Sequence, residues 1–292
     1  LKNNLTSVIA LDVGGSSVKS GLVKSSGSIY FDYPTPINSQ APKEDVLQEF
    51  VKIIQTYLHK VDHDELIGIA FGFPGPFDYK NGLCLIQGQS KYDNLYQVNI
   101  RDELKKILNF DKSILFCNDA EAAIIGEANY GAGKGFDRVI GITLGTGLGA
   151  GFIVNGTPAY EGQEIPVNAE LFPLKFKDKR ADDLFSTRGL IERFQKNDFY
   201  FSNVAEATDD IKHGNTLLIN VFREFGEDLG QFLRPFIDDF AANVLIVLGG
   251  IVGAKEYFHE SLEDQLSIPV LFGKIQGAAL LGAAKQFYSQ KS

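Results

Sequence analysis

The chain has 292 residues, 44% of them apolar and 22% charged, a globular composition long enough for two domains with ordinary cores. Its formal net charge of -9, with no basic run, argues against nucleic acid as a partner, because neutralising phosphates needs clustered Lys and Arg. No apolar stretch approaches a membrane span and the first residues show no signal-peptide core; the two cysteines, Cys84 and Cys117, lack a CxxC pattern and indicate a reducing cytoplasm.

The first element is a buried strand from Val8, ending at Asp12. The chain then turns on Gly14 and Gly15, continues through Ser16 and Ser17, and leaves through a second apolar run that contains Lys19. Two glycines followed by two serines bring backbone amides and hydroxyls close to a ligand, a pattern that suits phosphate; a plain hairpin with a glycine turn fits the same residues. Tyr30 to Tyr33 reads as a further strand and Lys43 to Lys60 as an amphipathic helix with Val46, Leu47, Phe50, Ile53, Ile54, Tyr57 and Leu58 on one side. His59 and His63 stand four apart without the glutamate of a metalloprotease helix, so they mark a solvated helix end.

Leu66 to Phe71 is a buried strand that runs into a Pro74-Gly75-Pro76 corner, either loop punctuation or a way to offer main-chain groups to a ligand. A helix over Ile100 to Leu108 precedes a strand, Ser113 to Cys117, that delivers Asn118 and Asp119 at its C-terminal end. Ligands of open α/β sheets gather at such ends, although either residue also suits the N-cap of the helix that continues to Tyr130.

The opening design then recurs. Val139 to Gly156 is strand, glycine-dense turn (Gly145, Thr146, Gly147, Gly149, Gly151) and strand, with Thr143 where Asp12 stands in the first copy. Two such hairpins, one in each half of the chain, imply two related domains facing a nucleotide. Beyond it the chain reads as helical: Thr187 to Gln195, Val204 to His213, and Thr216 to Phe240, which Pro235 should kink or interrupt. Val244 to Leu248 is a buried strand, Lys255 to Gln265 a helix, and Gly277 to Tyr288 a small-residue helix.

Five of these segments, in order, resemble the ROK family of bacterial sugar kinases and related repressors: LDVGGSSVKSGLV, FGFPGPFDYKNG, FCNDAEAAIIGE, ITLGTGLGAGFIVNG and LIVLGG. The resemblance spans nearly the whole chain. It implies an α/β fold of two ribonuclease H-like (actin-like ATPase) domains with a cleft between them, residues 1–118 plus 275–292 and residues 119–274, the last helix crossing back onto the first domain. It also implies a cytoplasmic homodimer that uses ATP and Mg2+ to phosphorylate a hexose hydroxyl, O6 of glucose or a relative.

By the same resemblance Asp119 is the catalytic base and Asp12 holds Mg2+ through water. Gly14, Gly15, Ser16 and Lys19 face phosphate, Gly145, Thr146 and Gly147 close on it from the other domain, and Gly249 and Gly250 receive adenosine. Gly75, Asn94, Asn118 and Asp119 lie on the sugar side. Most family members carry a Gly-Glu-x-Gly-His element and then a zinc-binding cysteine cluster, and here neither that histidine nor any cysteine of the cluster is present. Glu170 is the candidate sugar-binding glutamate, Asp182 or Asp183 the candidate contact to the anomeric side, and a zinc-free protein is expected.

Rival readings are weaker. Gly145, Gly147 and Ala150 satisfy the dinucleotide fingerprint, but that motif must open a helix, whereas Gly151 to Val154 is strand-like. No P-loop sequence is present, and a family repressor needs a helix-turn-helix ahead of the first hairpin, where seven residues precede Val8. A non-catalytic sugar sensor is the alternative from another class.

Overall fold

Two apolar hairpins seed two sheets of one plan. In the first, β1 (Ser7–Val13) and β2 (Ser17–Lys24) pair antiparallel in a register that sets Asp12 opposite Lys19. The sheet extends through β3 (Ile29–Phe31) and β4 (Thr35–Pro36) beyond β2, and through the parallel strands β5 (Leu66–Phe73) and β8 (Ser113–Asn118) beyond β1. The short pair β6 (Phe77–Asp78) and β7 (Leu83–Cys84) lies outside it. Buried parallel strands read as continuous apolar runs, as β5 does in LIGIAFGF.

Helix α1 (Lys43–Leu58) starts after Pro42 and buries Val46, Leu47, Phe50, Val51, Ile53, Ile54 and Tyr57. Phe50 meets Phe71 edge to face at 5.8 Å, and α2 (Ile100–Leu108) adds Ile100 and Leu104 to the same core. The structure, a computed structural model, describes residues 6–291.

The second sheet repeats the order: β10 (Leu148–Val154) antiparallel to β9 (Arg138–Leu144), then β14 (Val244–Leu248) and β15 (Val270–Phe272) parallel, with β11 (Thr157–Pro158) on the outer edge. Its helices are α4 (Ala181–Leu184), α5 (Thr187–Lys196), α6 (Val204–Lys212), α7 (Leu217–Phe240) and α8 (His259–Glu263). Phenylalanine supplies most of the chain's largest fully buried side chains, among them Phe185, Phe194, Phe222, Phe225 and Phe240.

Two expectations from sequence meet a different outcome here. Of the kink or interruption expected at Pro235, the interruption does not occur: α7 is helical on both sides of it, with Leu229, Phe232 and Leu233 before it and Ile237 and Phe240 after it buried. The helix expected over Lys255 to Gln265 is broken at Phe258, where the backbone leaves the helical region and the ring is fully buried against Phe225 at 5.7 Å. Core packing overrides local preference in both places.

The chain separates into two compact units, Leu1–Gly126 with Gln276–Ser292 and Glu127–Ile275. The division lies inside α3 (Asp119–Tyr130), whereas the boundary expected from sequence stands before this helix. The first two turns of α3 belong with α9 (Ala278–Lys291), which packs on β1, β2, β5 and β8. A Cβ on Gly126 would lie 1.9 Å from the Ala278 carbonyl oxygen, and one on Gly282 1.8 Å from that of Ala122, so the helices touch backbone to backbone. Among the described residues no helix is long and apolar enough to cross a membrane.

In place of the cysteine cluster, β12 (Lys175–Phe176) and β13 (Lys179–Arg180) form a short hairpin. Phe176 sits 5.8 Å from both Phe185 and Phe232, and Lys177 and Lys179 each reach a carboxylate, Asp228 and Glu192, at 2.6 Å. Aromatic pairs contribute about 0.5–1.5 kcal/mol each and exposed ion pairs about 1 kcal/mol or less, enough together to fix a six-residue hairpin without metal. A chelator is therefore expected to leave the melting midpoint unchanged; stoichiometric zinc in the purified protein, lost together with stability on chelation, would contradict this.

Candidate active site

The first glycine turn is held from behind by three carbonyl contacts. The Tyr92 hydroxyl donates to Gly14 O at 2.6 Å, the Ser39 hydroxyl to Gly15 O at 2.6 Å, and the Ile37 amide to Ser16 O at 3.0 Å. With the carbonyls engaged, the Gly15 and Ser16 amides are left without a protein acceptor among the described residues, the arrangement an anion requires. A Cβ on Gly14 would stand 2.9 Å from Ser17 O, so the turn closes only with glycine there. Asp12 lies one residue before the end of β1 with its side chain 18% exposed, and Lys19 pairs with it at 3.2 Å. Lys19 thus answers a carboxylate in this structure, through an exposed pair weak enough to exchange for a phosphate.

Asp119 arrives at the end of β8, beside the first turn. Asp12 pairs in register with Gly72 of β5, and a Cβ on Gly72 would lie 3.5 Å from the Asp119 Cα. Asn118 takes the capping role for α3, its Oδ1 accepting the Glu121 amide at 3.1 Å. Asp119 Oδ1 accepts the Ala120 amide at 2.9 Å. Burial pushes the Asp119 carboxyl above the usual carboxylate range; the Asp12 charge pushes the same way, while the Ala120 N–H and the Lys91 ammonium oppose it. A carboxylate less stable than usual as an anion is a better proton acceptor.

The Pro-Gly-Pro corner and Asn118 share a brace that sequence reasoning missed. The half-buried Tyr79 hydroxyl donates to Phe73 O at 3.1 Å and accepts from Asn118 Nδ2 at 3.1 Å, and burial raises its phenol well above the ordinary value. A Cβ on Gly75 would come within 3.2 Å of that hydroxyl. Nothing in the sequence marks Tyr79, because its partners meet only in the folded sheet. Asn94 is exposed and directs Nδ2 at the carbonyls of Gln40 (2.9 Å) and Ala41 (3.0 Å), which leaves only its Oδ1 to a ligand.

In the second unit the turn Gly145–Gly147 is tied through Gly145 O, which accepts the Thr187 amide at 2.7 Å, and closed by the Gly145 amide on Gly147 O at 3.1 Å; Thr146 is exposed at its tip. Asp182 is committed to this turn: its Oδ1 accepts the Leu148 amide at 2.8 Å and would meet a Cβ on Gly147 at 2.9 Å, and Arg188 takes its Oδ2 at 3.3 Å. Asp183 is held below the usual carboxylate range by Arg180, with Arg188 adding to it. Glu170 comes after two residues with left-handed backbone, Asn168 (φ 58°) and Ala169 (φ 57°), and its half-buried carboxylate has no side-chain partner among the described residues. Gly249, at φ 98° and with its Cβ position 2.3 Å from Leu144 O, admits only glycine, whereas Gly250 faces open space. No cluster of three His, Cys, Asp or Glu side chains able to hold a metal occurs among the described residues.

Residues 8–165, more than half of the chain, match the model of the ROK family. The chain belongs to the ROK family. It is 26% identical to a glucokinase of Thermotoga maritima over 95% of its own length and 96% of that protein. The ROK hexokinase of Thermus thermophilus shares its fold at a TM-score of 0.80 and 19% identity, covering 98% of this chain and all of that one. A ROK family glucokinase from Streptomyces griseus, solved in complex with glucose and AMPPNP, superposes at a TM-score of 0.72 with 21% identity over 96% of this chain and 98% of that one. The fold is therefore the actin-like ATPase fold of ROK sugar kinases, and the paired sheets are its two halves.

Proposed function

We propose that this ROK chain is an ATP-dependent sugar kinase in which Asp119 takes the proton from O6 of glucose or a related hexose. The observation that carries this reading is the placement of Asp119: at the C-terminal end of a parallel strand, beside the glycine turn, with a carboxyl raised by burial. Oδ1 is occupied by the Ala120 amide, so Oδ2 is the atom that receives the proton. As it does, the sugar oxygen forms its bond to the γ-phosphorus, the bond from that phosphorus to the β–γ bridging oxygen breaks, and ADP leaves. Such transfer is mostly positioning and charge stabilisation, and a placed base adds roughly a hundred- to ten-thousandfold.

The Gly15 and Ser16 amides would receive phosphate oxygens, and the Gly145–Gly147 turn supplies a second phosphate cradle. Mg2+ suits a single carboxylate reached through water, since it keeps most of its waters and takes its other ligands from phosphate. Asp12 would hold it, and the ion would neutralise charge on the phosphates. Asn118, oriented by Tyr79, and Glu170, whose carboxylate has no side-chain partner among the described residues, are the proposed sugar ligands, and Asp182 also braces the second turn.

The test is ADP formation from Mg-ATP against hexoses, N-acetylhexosamines and β-glucosides. Sugar-dependent release is expected and names the acceptor class. Calorimetric sugar binding without ADP release from any of them would favour the sensor reading over the kinase.

A further inference from the structure

Lys91 lies next to the proposed chemistry and no role has been given to it. Its Cδ packs 3.7 Å from where a Cβ on Gly15 would lie, so its aliphatic stem crosses the first phosphate turn at the amide-bearing residue. It is half-buried, and among the described residues its ammonium has no hydrogen-bond or ion-pair partner, in contrast to Lys19, which Asp12 holds. Its charge is nevertheless felt at Asp119, which it helps keep ionised. A cation whose stem lies on the turn and whose charge is felt at the base, but which is paired with neither, is poised for an anion that arrives with a ligand.

The backbone that presents Lys91 is built at a cost. Ser90 (φ 56°) and Tyr92 (φ 55°) flank it in the left-handed region that side chains disfavour. Both are held there from the turn and its neighbours. Gln40 Nε2 donates to Ser90 O at 2.8 Å, the Tyr92 amide donates to Ser39 O at 2.7 Å, and the Tyr92 hydroxyl reaches Gly14 O at 2.6 Å. Ser39 and Tyr92 are the same residues that fix the carbonyls of the glycine turn, so Lys91 and the turn are positioned as one piece.

We propose that Lys91 is a further catalytic residue whose ammonium contacts the γ-phosphoryl group and stabilises the charge that spreads over its oxygens during transfer. The inference rests on the kinase reading above. Loss of one such charged donor lowers kcat by about a hundredfold.

The decisive readout is binding without turnover. Mg-AMPPNP and Mg-ADP are titrated into the full chain by calorimetry, for wild type, Lys91→Met, which keeps the stem, and Lys91→Arg, which keeps the charge. Wild type is expected to prefer the triphosphate, Lys91→Met to lose about tenfold of that preference with ADP affinity unchanged, and Lys91→Arg to retain it. An unchanged preference in Lys91→Met overturns the proposal, as does a loss confined to sugar affinity, which would place the cation on the acceptor. A wild-type chain that binds neither nucleotide would overturn the kinase reading itself, and this inference with it.

Discussion

Replacing Asp119 by asparagine is expected to lower kcat for sugar phosphorylation by about a hundred- to ten-thousandfold, with sugar affinity measured by calorimetry little changed. The same variant should melt at or above the wild-type midpoint. Burial, and behind it the Asp12 charge, raise the folded-state value of this carboxyl above its unfolded one. Its ionised form therefore disfavours the fold at neutral pH, and that cost disappears as the pH falls through the folded value. The asparagine side chain bears no charge and escapes it. The acid limb of kcat/KM for the wild type accordingly belongs above the ordinary carboxylate range, activity falling as protons bind Asp119. A variant with wild-type kcat, or one that melts well below wild type, would mean that Asp119 is a structural cap and not a base.

The largest expected loss of stability is at Gly282. A valine there would drive its Cβ to within 1.8 Å of the Ala122 carbonyl oxygen and 2.9 Å of the Gly126 amide, both backbone atoms that cannot rotate aside. The reciprocal approach of Gly126 to Ala278 leaves no room to slide α9 along α3. Forcing the helices apart costs about 3 kcal/mol, or roughly 10 °C in the midpoint of the unit that contains them. Because α3 carries Asp119 in its first turn, kcat should fall together with stability. Circular dichroism melts check the first effect and initial rates the second; a valine variant indistinguishable from wild type in both would show that the two helices do not meet as described.

Much of this organisation was legible in the chain itself. The repeated strand–glycine turn–strand unit foretold two sheets of the same plan, and the apolar run before Asn118 and Asp119 put both at a strand end. Strand periodicity and glycine density are local, so they survive without a partner in view. The small residues of GAALLGAAKQFY allowed close helix packing, and Gly282 and Gly126 supply it.

The features that escaped are those that only folding brings together. Tyr92 and Gly14 are 78 positions apart, and Tyr79 and Asn118 are 39 apart, so no spacing rule joins a hydroxyl to the carbonyl or amide it serves. Asp182 also accepts the Leu148 amide, 34 residues earlier, a contact that no spacing rule announces. Local propensity also misled where the core decided otherwise: Pro235 rides within α7, while Phe258 breaks a stretch with helical periodicity to reach a buried aromatic site. Lys91 lies between two residues whose left-handed backbone no sequence pattern announces.

The central claim is that a phosphoryl group moves to a sugar hydroxyl under the control of Asp119. Phosphorus NMR of the chain with Mg-ATP and glucose, run beside Asp119→Asn, tests it most directly. A new phosphomonoester resonance split into a triplet by the two C6 protons, growing with ADP and absent for the variant, is the predicted result. Inorganic phosphate as the only product, or the same phosphomonoester formed at the same rate by Asp119→Asn, would contradict it.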